Sequence, residues 1–253
     1  TLLMINHISV AIMVKNGVNT LKNTLDSLGS FSDVVVYDNG STDGTQDIVK
    51  SYSNTRLIEG EFLGFGDTKN KAASFTDNDW ILSLDADEVV SPELAEVLQA
   101  LALDNNAVYS LTRFNFYKQR HIKYCWGNDI IIRLYNKSLT SFTRKKVHET
   151  IISDGLEIVK IRGVLNHFSY SSISDFIVKL DKYSSLYAVD NQGKKTSSPL
   201  KAIVSGIFSF IKTYFFKRGF LDGTPGLIIA FSHMATNFYK YIKLYEINTE
   251  SKK

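Results

Sequence analysis

Val34-Val35-Val36-Tyr37-Asp38-Asn39-Gly40-Ser41-Thr42-Asp43-Gly44 is an apolar run closed by an acid and a turn, with Ile48 and Tyr52 following at helical spacing. It reads as strand, loop, helix. The same unit stands upstream, where Ile8–Val14 ends at Lys15-Asn16-Gly17 and Val18, Leu21, Leu25 and Leu28 then share one helical face. Downstream, Leu57-Ile58 gives a short strand, and Gly64-Phe65-Gly66 leads into a helix around Asn70-Lys71-Ala72-Ala73. Trp80–Leu84 is a fourth strand. Ser91-Pro92-Glu93 then opens a helix with a capping residue, a first-turn proline and an early acid, and Leu94, Val97, Leu98 and Leu101 form its apolar face. Strands alternating with helices predict an α/β fold with a doubly wound, mainly parallel sheet, whose ligands bind beyond the carboxyl ends of the strands. The loops after Val14, Tyr37 and Leu84 are therefore expected at one mouth.

Past about residue 105 the pattern changes to β-like runs at Val108–Phe116, Asp129–Tyr135 and Glu157–Ile161, so the second half of the sheet is expected to be mixed. From Ser171 the chain reads helical, with Phe176, Leu180, Tyr183 and Tyr187 at helical spacing and Gln192–Ser198 as a polar linker. This gives an expected catalytic domain over residues 1–170 and an appended C-terminal helical region over 171–253. Between Leu200 and Phe216, Ile203, Val204, Ile207, Phe208, Phe210, Ile211 and Phe215 form a wide apolar stripe opposite Lys201, Ser205, Ser209 and Lys212. Leu227 to Tyr245 repeats that amphipathic pattern. Such helices suit a membrane interface, a packing face on the catalytic domain, or a dimer contact, and neither has an apolar run long enough to span a bilayer.

Composition bounds the classes. The 253 residues are 44% hydrophobic, enough for one large core or one core with a smaller appended domain. A net charge of +3 argues against nucleic-acid binding without a concentrated basic patch. Cys125 is the single cysteine, which excludes an intrachain disulfide and a cysteine-based zinc site; the chain reads as reduced and intracellular, with Cys125 as a small buried residue. Thr1–His7 has no signal-peptide pattern.

The sharpest chemical feature is Asp85-Ala86-Asp87-Glu88 at the end of an apolar strand. Strand alternation would put Asp85 and Asp87 on the same side, where two carboxylates invite Mg²⁺ or Mn²⁺ and, through the ion, a nucleotide diphosphate. An acidic turn is the ordinary alternative. Asp38 ends its strand at the same mouth and can accept hydrogen bonds from a base or ribose, while Ser41, Thr42 and Asp43 suit a turn and helix cap.

Taken in order, strand–Lys15-Asn16, Asp38-Asn39-Gly40-Ser41-Thr42-Asp43, Gly64-Phe65-Gly66 with Lys69-Asn70, and Leu84-Asp85-Ala86-Asp87-Glu88 resemble the family 2 glycosyltransferases. The resemblance implies a GT-A fold and a divalent metal cofactor. By it Lys15, Asp38, Lys69 and Asp85 serve the nucleotide-sugar donor and Asp87 ligates the metal, with His167 as a further candidate for the metal or the diphosphate. Asn39 and Lys69 depart from the acid and the arginine that many relatives carry, and lysine offers a point charge where arginine offers a fork. Lys146-Val147-His148-Glu149 supplies a base for the acceptor hydroxyl, assigned to Glu149 by similarity to enzymes that displace with inversion. Arg133 is open to two readings, a contact to phosphate or acceptor and a plain position on a half-exposed strand.

The tail, with Lys217-Arg218-Gly219-Phe220-Leu221-Asp222-Gly223 and Lys240-Tyr241-Ile242-Lys243-Leu244, is similar to bacterial enzymes that glucosylate the inner core of lipopolysaccharide. That branch implies UDP-glucose as donor and a lipid-anchored heptose as acceptor, at the cytoplasmic face of the inner membrane. Two other readings compete with it. A sugar-phosphate nucleotidyltransferase expects a glycine- and arginine-rich loop after the first strand, which Val14–Val18 lacks, and the presence of Asp87 and Glu149 argues against a non-catalytic nucleotide-sugar-binding or membrane-associated scaffold. A dehydrogenase would need a final glycine where Lys69 stands.

Overall fold

The computed structural model describes residues 4–144 and 149–250. Its nine-stranded sheet has the order β3-β2-β1-β4-β8-β6-β9-β5, with β7 paired to β6. β1 (Ser9–Val14), β2 (Val34–Asp38), β3 (Thr55–Glu59) and β4 (Trp80–Asp85) form the parallel half. β8 (Asn128–Asn136) runs antiparallel to β4, and the short β5 (Glu88–Val90) runs antiparallel to β9 (Glu157–Tyr170). β6 (Ala107–Tyr117) and β7 (Arg120–His121) make a hairpin. The mixed second half expected from the sequence is present, and its strands match the three β-like runs.

The chain divides into two compact units. Unit 1 comprises Thr1–Phe114 and Asp129–Phe168. Unit 2 comprises Asn115–Asn128 and Ser169–Lys253.

In unit 1, period-two alternation builds two apolar layers. Val10, Ile12, Val14, Val34, Val36, Leu82 and Leu84 face α1 (Leu21–Asp26), α2 (Thr45–Lys50) and α4 (Pro92–Ala100), which contribute Leu21, Leu25, Val49, Leu94 and Leu98. Ala11, Tyr37 and Ile81 on the opposite face meet Ala72 and Ala73 of α3 (Phe65–Ala73). β1, β2 and β4 are thus covered on both sides, which explains their near-continuous apolar character. Ser91 caps α4 by accepting the Leu94 N–H at 3.2 Å, as the sequence signal predicts.

Unit 2 is built on three helices: α5 (Ile173–Asn191), α6 (Pro199–Ile211) and α7 (Thr224–Glu250). α5 opens with a reciprocal cap between Ser172 and Asp175. A π-helical turn (Lys212–Phe216) and a 3-10 turn (Gly219–Asp222) link α6 to α7. A small core gathers Tyr117, Ile122, Cys125, Phe176 and Ile229, with Tyr170 stacked on Phe176 at 4.0 Å. Burial, with Asp222 beside it, pushes the Cys125 thiol up to about 12, so this cysteine is an inert packing residue, as expected.

The amphipathic reading of α6 resolves in an unexpected way. Its buried residues are the small ones, Ala202 and Gly206, and a Cβ on Gly206 would lie 3.0 Å from the Met234 carbonyl of α7. The two helices approach through this small-residue strip. Most of the apolar stripe is left outside, with Ile203 48%, Val204 57%, Ile207 51% and Phe208 58% exposed, while Phe210 packs on Phe231 of α7 at 4.9 Å. Among the described residues no helix is long and apolar enough to cross a membrane.

His233 of α7 shares a hydrogen bond with Thr213 at 3.0 Å between Oγ1 and Nδ1, and burial, then the nearby Lys217 charge, lowers its pKa to about 4. Folded His233 therefore binds fewer protons than the unfolded chain between its ordinary value near 6.5 and about 4, and stability falls as pH falls through that window. Denaturant midpoints should drop across it in the natural protein and drop less steeply in His233→Gln; parallel slopes would remove His233 as the source.

Candidate active site

The site is made by loops that leave the carboxyl ends of neighbouring parallel strands. The loop after β1 is bonded to the loop after β2: the Asn16 N–H donates to Ser41 Oγ at 2.8 Å, Thr42 N–H to Asn16 Oδ1 at 2.9 Å, Gly17 N–H to Thr45 Oγ1 at 2.8 Å and Val18 N–H to Asp43 Oδ2 at 3.1 Å. Asn16 reaches this arrangement with a left-handed backbone, φ 54°. Thr24 Oγ1 donates to the Ala86 carbonyl at 3.0 Å and ties in the turn after β4. The expected common mouth is formed, and Lys15 stands exposed at it.

Asp38 is fully buried, and its carboxylate accepts the Ser41 N–H at 3.1 Å and Gln46 Nε2 at 2.6 Å. It holds the loop together. The neighbouring Asn39 is different: its Oδ1 is buried and has no hydrogen-bond partner among the described residues. A buried acceptor without a donor is uncommon in a folded protein and marks a position where a ligand can supply one.

Behind the mouth lies a chain of alternating charges that sequence reading did not assemble. Lys69 Nζ is 3.0 Å from Glu149 Oε1 and 2.9 Å from Asp85 Oδ1. Arg133 Nη2 is 2.6 Å from both Asp85 Oδ2 and Glu88 Oε1, and Arg113 then bridges Glu88 at 3.1 Å and Asp129 at 2.8 Å. The middle of the chain is desolvated: Glu88 is 0% and the Lys69 side chain 5% exposed. Burial alone would raise the Asp85 pKa, but Arg133 and Lys69 outweigh it and hold the carboxyl below its ordinary value. Burial would likewise lower the Arg133 pKa, and Asp85 and Glu88 reverse that. Glu88 also accepts the Asp85 backbone N–H at 3.0 Å, so it holds that backbone directly and the Asp85 carboxylate through Arg133.

Two devices dock Glu149. Asn70 Nδ2 donates to the Phe142 carbonyl at 3.0 Å while Asn70 Oδ1 accepts the Phe142 N–H at 2.8 Å, clamping the segment before Glu149 onto α3. Gly66 lies under the next residue, where an added Cβ would sit 2.0 Å from the Thr143 carbonyl oxygen and 3.5 Å from the Glu149 Cβ. That approach requires glycine. Phe142 and Ile151 bridge the two sides of the segment, and Lys146, Val147 and His148 within it lie outside the described residues.

Asp87 has a different environment from Asp85. β4 ends at Asp85, and Ala86-Asp87 forms the turn into β5, so the strand alternation that would have put both carboxylates on one face stops before it reaches Asp87. Asp87 Oδ2 lies 3.5 Å from His167 Nε2, and the Asp87 carbonyl accepts the Phe168 N–H at 2.9 Å. The β5–β9 pairing, with Glu88 opposite His167, brings the acid and the imidazole together. Among the described residues there is no cluster of three or more metal-ligating side chains. One carboxylate oxygen and one imidazole nitrogen, both part-exposed, suit an ion that takes its remaining oxygens from phosphate and water.

Of the residues expected to serve the donor and the acceptor, Lys69, Asp85 and Glu149 meet, with Lys69 touching both carboxylates. What sequence reading missed is the buried second row, Glu88, Arg113 and the part Arg133 plays in it. The signal was available: charged residues within otherwise apolar strands need partners when buried.

The family model for glycosyl transferase family 2 matches residues 9–155. A Rickettsia typhi protein described as an uncharacterized glycosyltransferase is 30% identical, covering 97% of this chain and 89% of its own. The Rhizobium meliloti lipopolysaccharide core biosynthesis glycosyltransferase LpsC is 26% identical, covering 94% of this chain and 92% of its own. A solved structure of S. aureus TarS 1-349 in complex with UDP aligns with a TM-score of 0.45 at 16% identity, covering 97% of this chain and 91% of that one.

Breaking the ion chain at its driest point should be expensive, because Glu88→Leu leaves Arg133 and Arg113 buried without their shared partner. A loss of about 3–5 kcal/mol in unfolding free energy is expected by denaturant titration, and a change below about 1 kcal/mol would show that the row is solvated.

Proposed function

The chain belongs to glycosyl transferase family 2, and we propose that it is a metal-dependent, inverting hexosyltransferase that moves glucose from UDP-glucose to a saccharide acceptor, an inner-core heptose of lipopolysaccharide. Its fold is the GT-A type. The observation that carries the mechanistic reading is the contact of Lys69 with both Asp85 and Glu149 behind the mouth of the parallel sheet.

On this reading the nucleotide lies across the loops after β1 and β2. Lys15 lines the base pocket, Asp38 keeps the loop in shape, and the unpartnered Asn39 Oδ1 offers an acceptor to a donor on the nucleotide. Asp85 lies near the ribose. Asp87 and His167 would hold a divalent ion, Mn²⁺ or Mg²⁺, which when bound neutralises charge on the departing diphosphate. Glu149 accepts the proton of the acceptor hydroxyl as that oxygen bonds to the anomeric carbon and the bond to the diphosphate breaks, which inverts the configuration. Lys69 orients the Glu149 carboxylate and presents a cation toward the donor side.

The acceptor class draws support from the likeness to LpsC. The location at the cytoplasmic face of a membrane draws support from unit 2. Residues 199–221 include no Asp or Glu but carry Lys201, Lys212, Lys217 and Arg218, all exposed among the uncovered apolar side chains of α6 and the turns after it. An apolar face with only cations beside it complements an anionic bilayer surface.

UDP and UDP-hexoses should raise the melting temperature in the presence of Mn²⁺, and Asp87→Ala should abolish that metal-dependent shift. Glu149→Gln should keep the shift but slow transfer about 100-fold or more; unchanged turnover would remove Glu149 from the base role. Gly66→Ala, which pushes on Thr143, should lower kcat more than donor affinity. A loss of donor binding with kcat intact would contradict the docking account.

A further inference from the structure

A cavity of about 560 Å³ opens in unit 2 between the β6–β7 hairpin segment and the 3-10 turn, lined by Arg120, His121, Lys123, Tyr124, Leu221 and Asp222. None of these residues has a part in the chemistry above. The acid in the wall is already satisfied: Asp222 is 3% exposed, and its carboxylate accepts the backbone N–H groups of Lys123 at 3.0 Å, Tyr124 at 3.1 Å and Cys125 at 2.8 Å. Three amide dipoles directed at one carboxylate neutralise it locally and fix the backbone that carries Lys123.

The cations have no such partner. Arg120 and Lys123 are exposed, and neither side chain forms an ion pair among the described residues. Arg120 is held against the 3-10 turn, since a Cβ on Gly223 would lie 3.5 Å from its Nη2. Gly223 takes φ +68°, so the turn closes there without a side chain between backbone and guanidinium. Beside these cations His121 stacks on Phe116 at 5.3 Å and has Asn128 Oδ1 at 3.2 Å from its Nε2. A guanidinium and an ammonium at one concave site, with the one carboxylate among its described lining residues already satisfied by backbone N–H groups, match a phosphate group.

The other wall says where the phosphate comes from. Leu221 is 48%, Phe220 46% and Tyr124 41% exposed, and the first and last line the cavity. Leu221 is the last residue of the acid-free segment that carries the uncovered apolar side chains. A cavity lined by two exposed cations together with an apolar and an aromatic side chain, next in sequence to such a surface, suits a headgroup whose acyl chains stay on the apolar side.

We propose that this cavity binds the phosphate of a membrane-lipid headgroup, with Arg120 and Lys123 as the anion contacts. The inference rests on the membrane-facing reading of unit 2 and adds a discrete site to it.

The test is vesicle cosedimentation of the full chain with phosphatidylcholine vesicles, with and without phosphatidic acid. The natural protein should prefer the phosphatidic acid vesicles. Arg120→Gln/Lys123→Gln should weaken that binding about tenfold or more, whereas Lys182→Gln/Lys194→Gln, which removes the same charge from exposed positions elsewhere in unit 2, should change it little. Nucleotide-dependent stabilisation should be equal in all three proteins, which keeps the donor site out of the comparison. Equal weakening in both double variants would overturn the site in favour of diffuse attraction. Failure of the natural protein to bind any vesicle would overturn the membrane-facing reading itself. Inorganic phosphate that stabilises the natural protein but not Arg120→Gln/Lys123→Gln, without any vesicle preference, would overturn the lipid source and leave a soluble phosphate ligand.

Discussion

The ion pair between Lys69 and Asp85, backed by Arg133 and Glu88, is the constraint on which the site depends. Charges this deeply buried stay ionised only when each has close partners of opposite sign, and here every acid in the row is flanked by a cation. The row starts at the carboxyl end of β4, crosses to β8 through Arg133 and reaches β6 through Arg113. It therefore couples the parallel half of the sheet to its mixed half with groups that cannot be shifted independently. Hydrophobic layers set the positions of the strands, and the ion row sets the orientation of the side chains at their ends.

Much of the fold could be read from the chain because its first half is locally consistent. Val34–Asp38 and Trp80–Asp85 are apolar runs closed by acids, and capping and periodicity agree with them at Ser91 and at Leu94 and Leu98. The β-like runs after residue 105 located strands, but their order in the sheet depends on long-range pairing that no local signal carries. The candidate site was legible residue by residue and not as a network. The sequence singles out Asp38 as a ligand contact, yet its carboxylate is committed to the loop, and the free acceptor is next door on Asn39. Arg133 stands apart in the sequence because only the β4–β8 pairing brings it to Asp85.

Asp85 and Asp87 show why spacing alone is an uncertain guide. Period-two geometry applies within a strand, and the strand ends between them. The consequence is a division of labour, with Asp85 in the buried ion row and Asp87 beside His167. The α6 segment teaches a related lesson. Its large apolar residues look like a packing face, but the close helix contact is made through Ala202 and Gly206, with Phe210 on Phe231, and Ile203, Val204, Ile207 and Phe208 remain uncovered. Helical periodicity identifies the apolar side of a helix without saying what meets it.

The central claim is that Lys69 and Glu149 act as one unit in transfer. A double-mutant cycle on kcat with Lys69→Met and Glu149→Gln tests it most directly, because groups that act together give strongly non-additive losses. The account predicts that Glu149→Gln, severe in the natural protein, adds little once Lys69 is gone. Full additivity of the two losses would contradict it and leave the 3.0 Å contact between them without a part in catalysis.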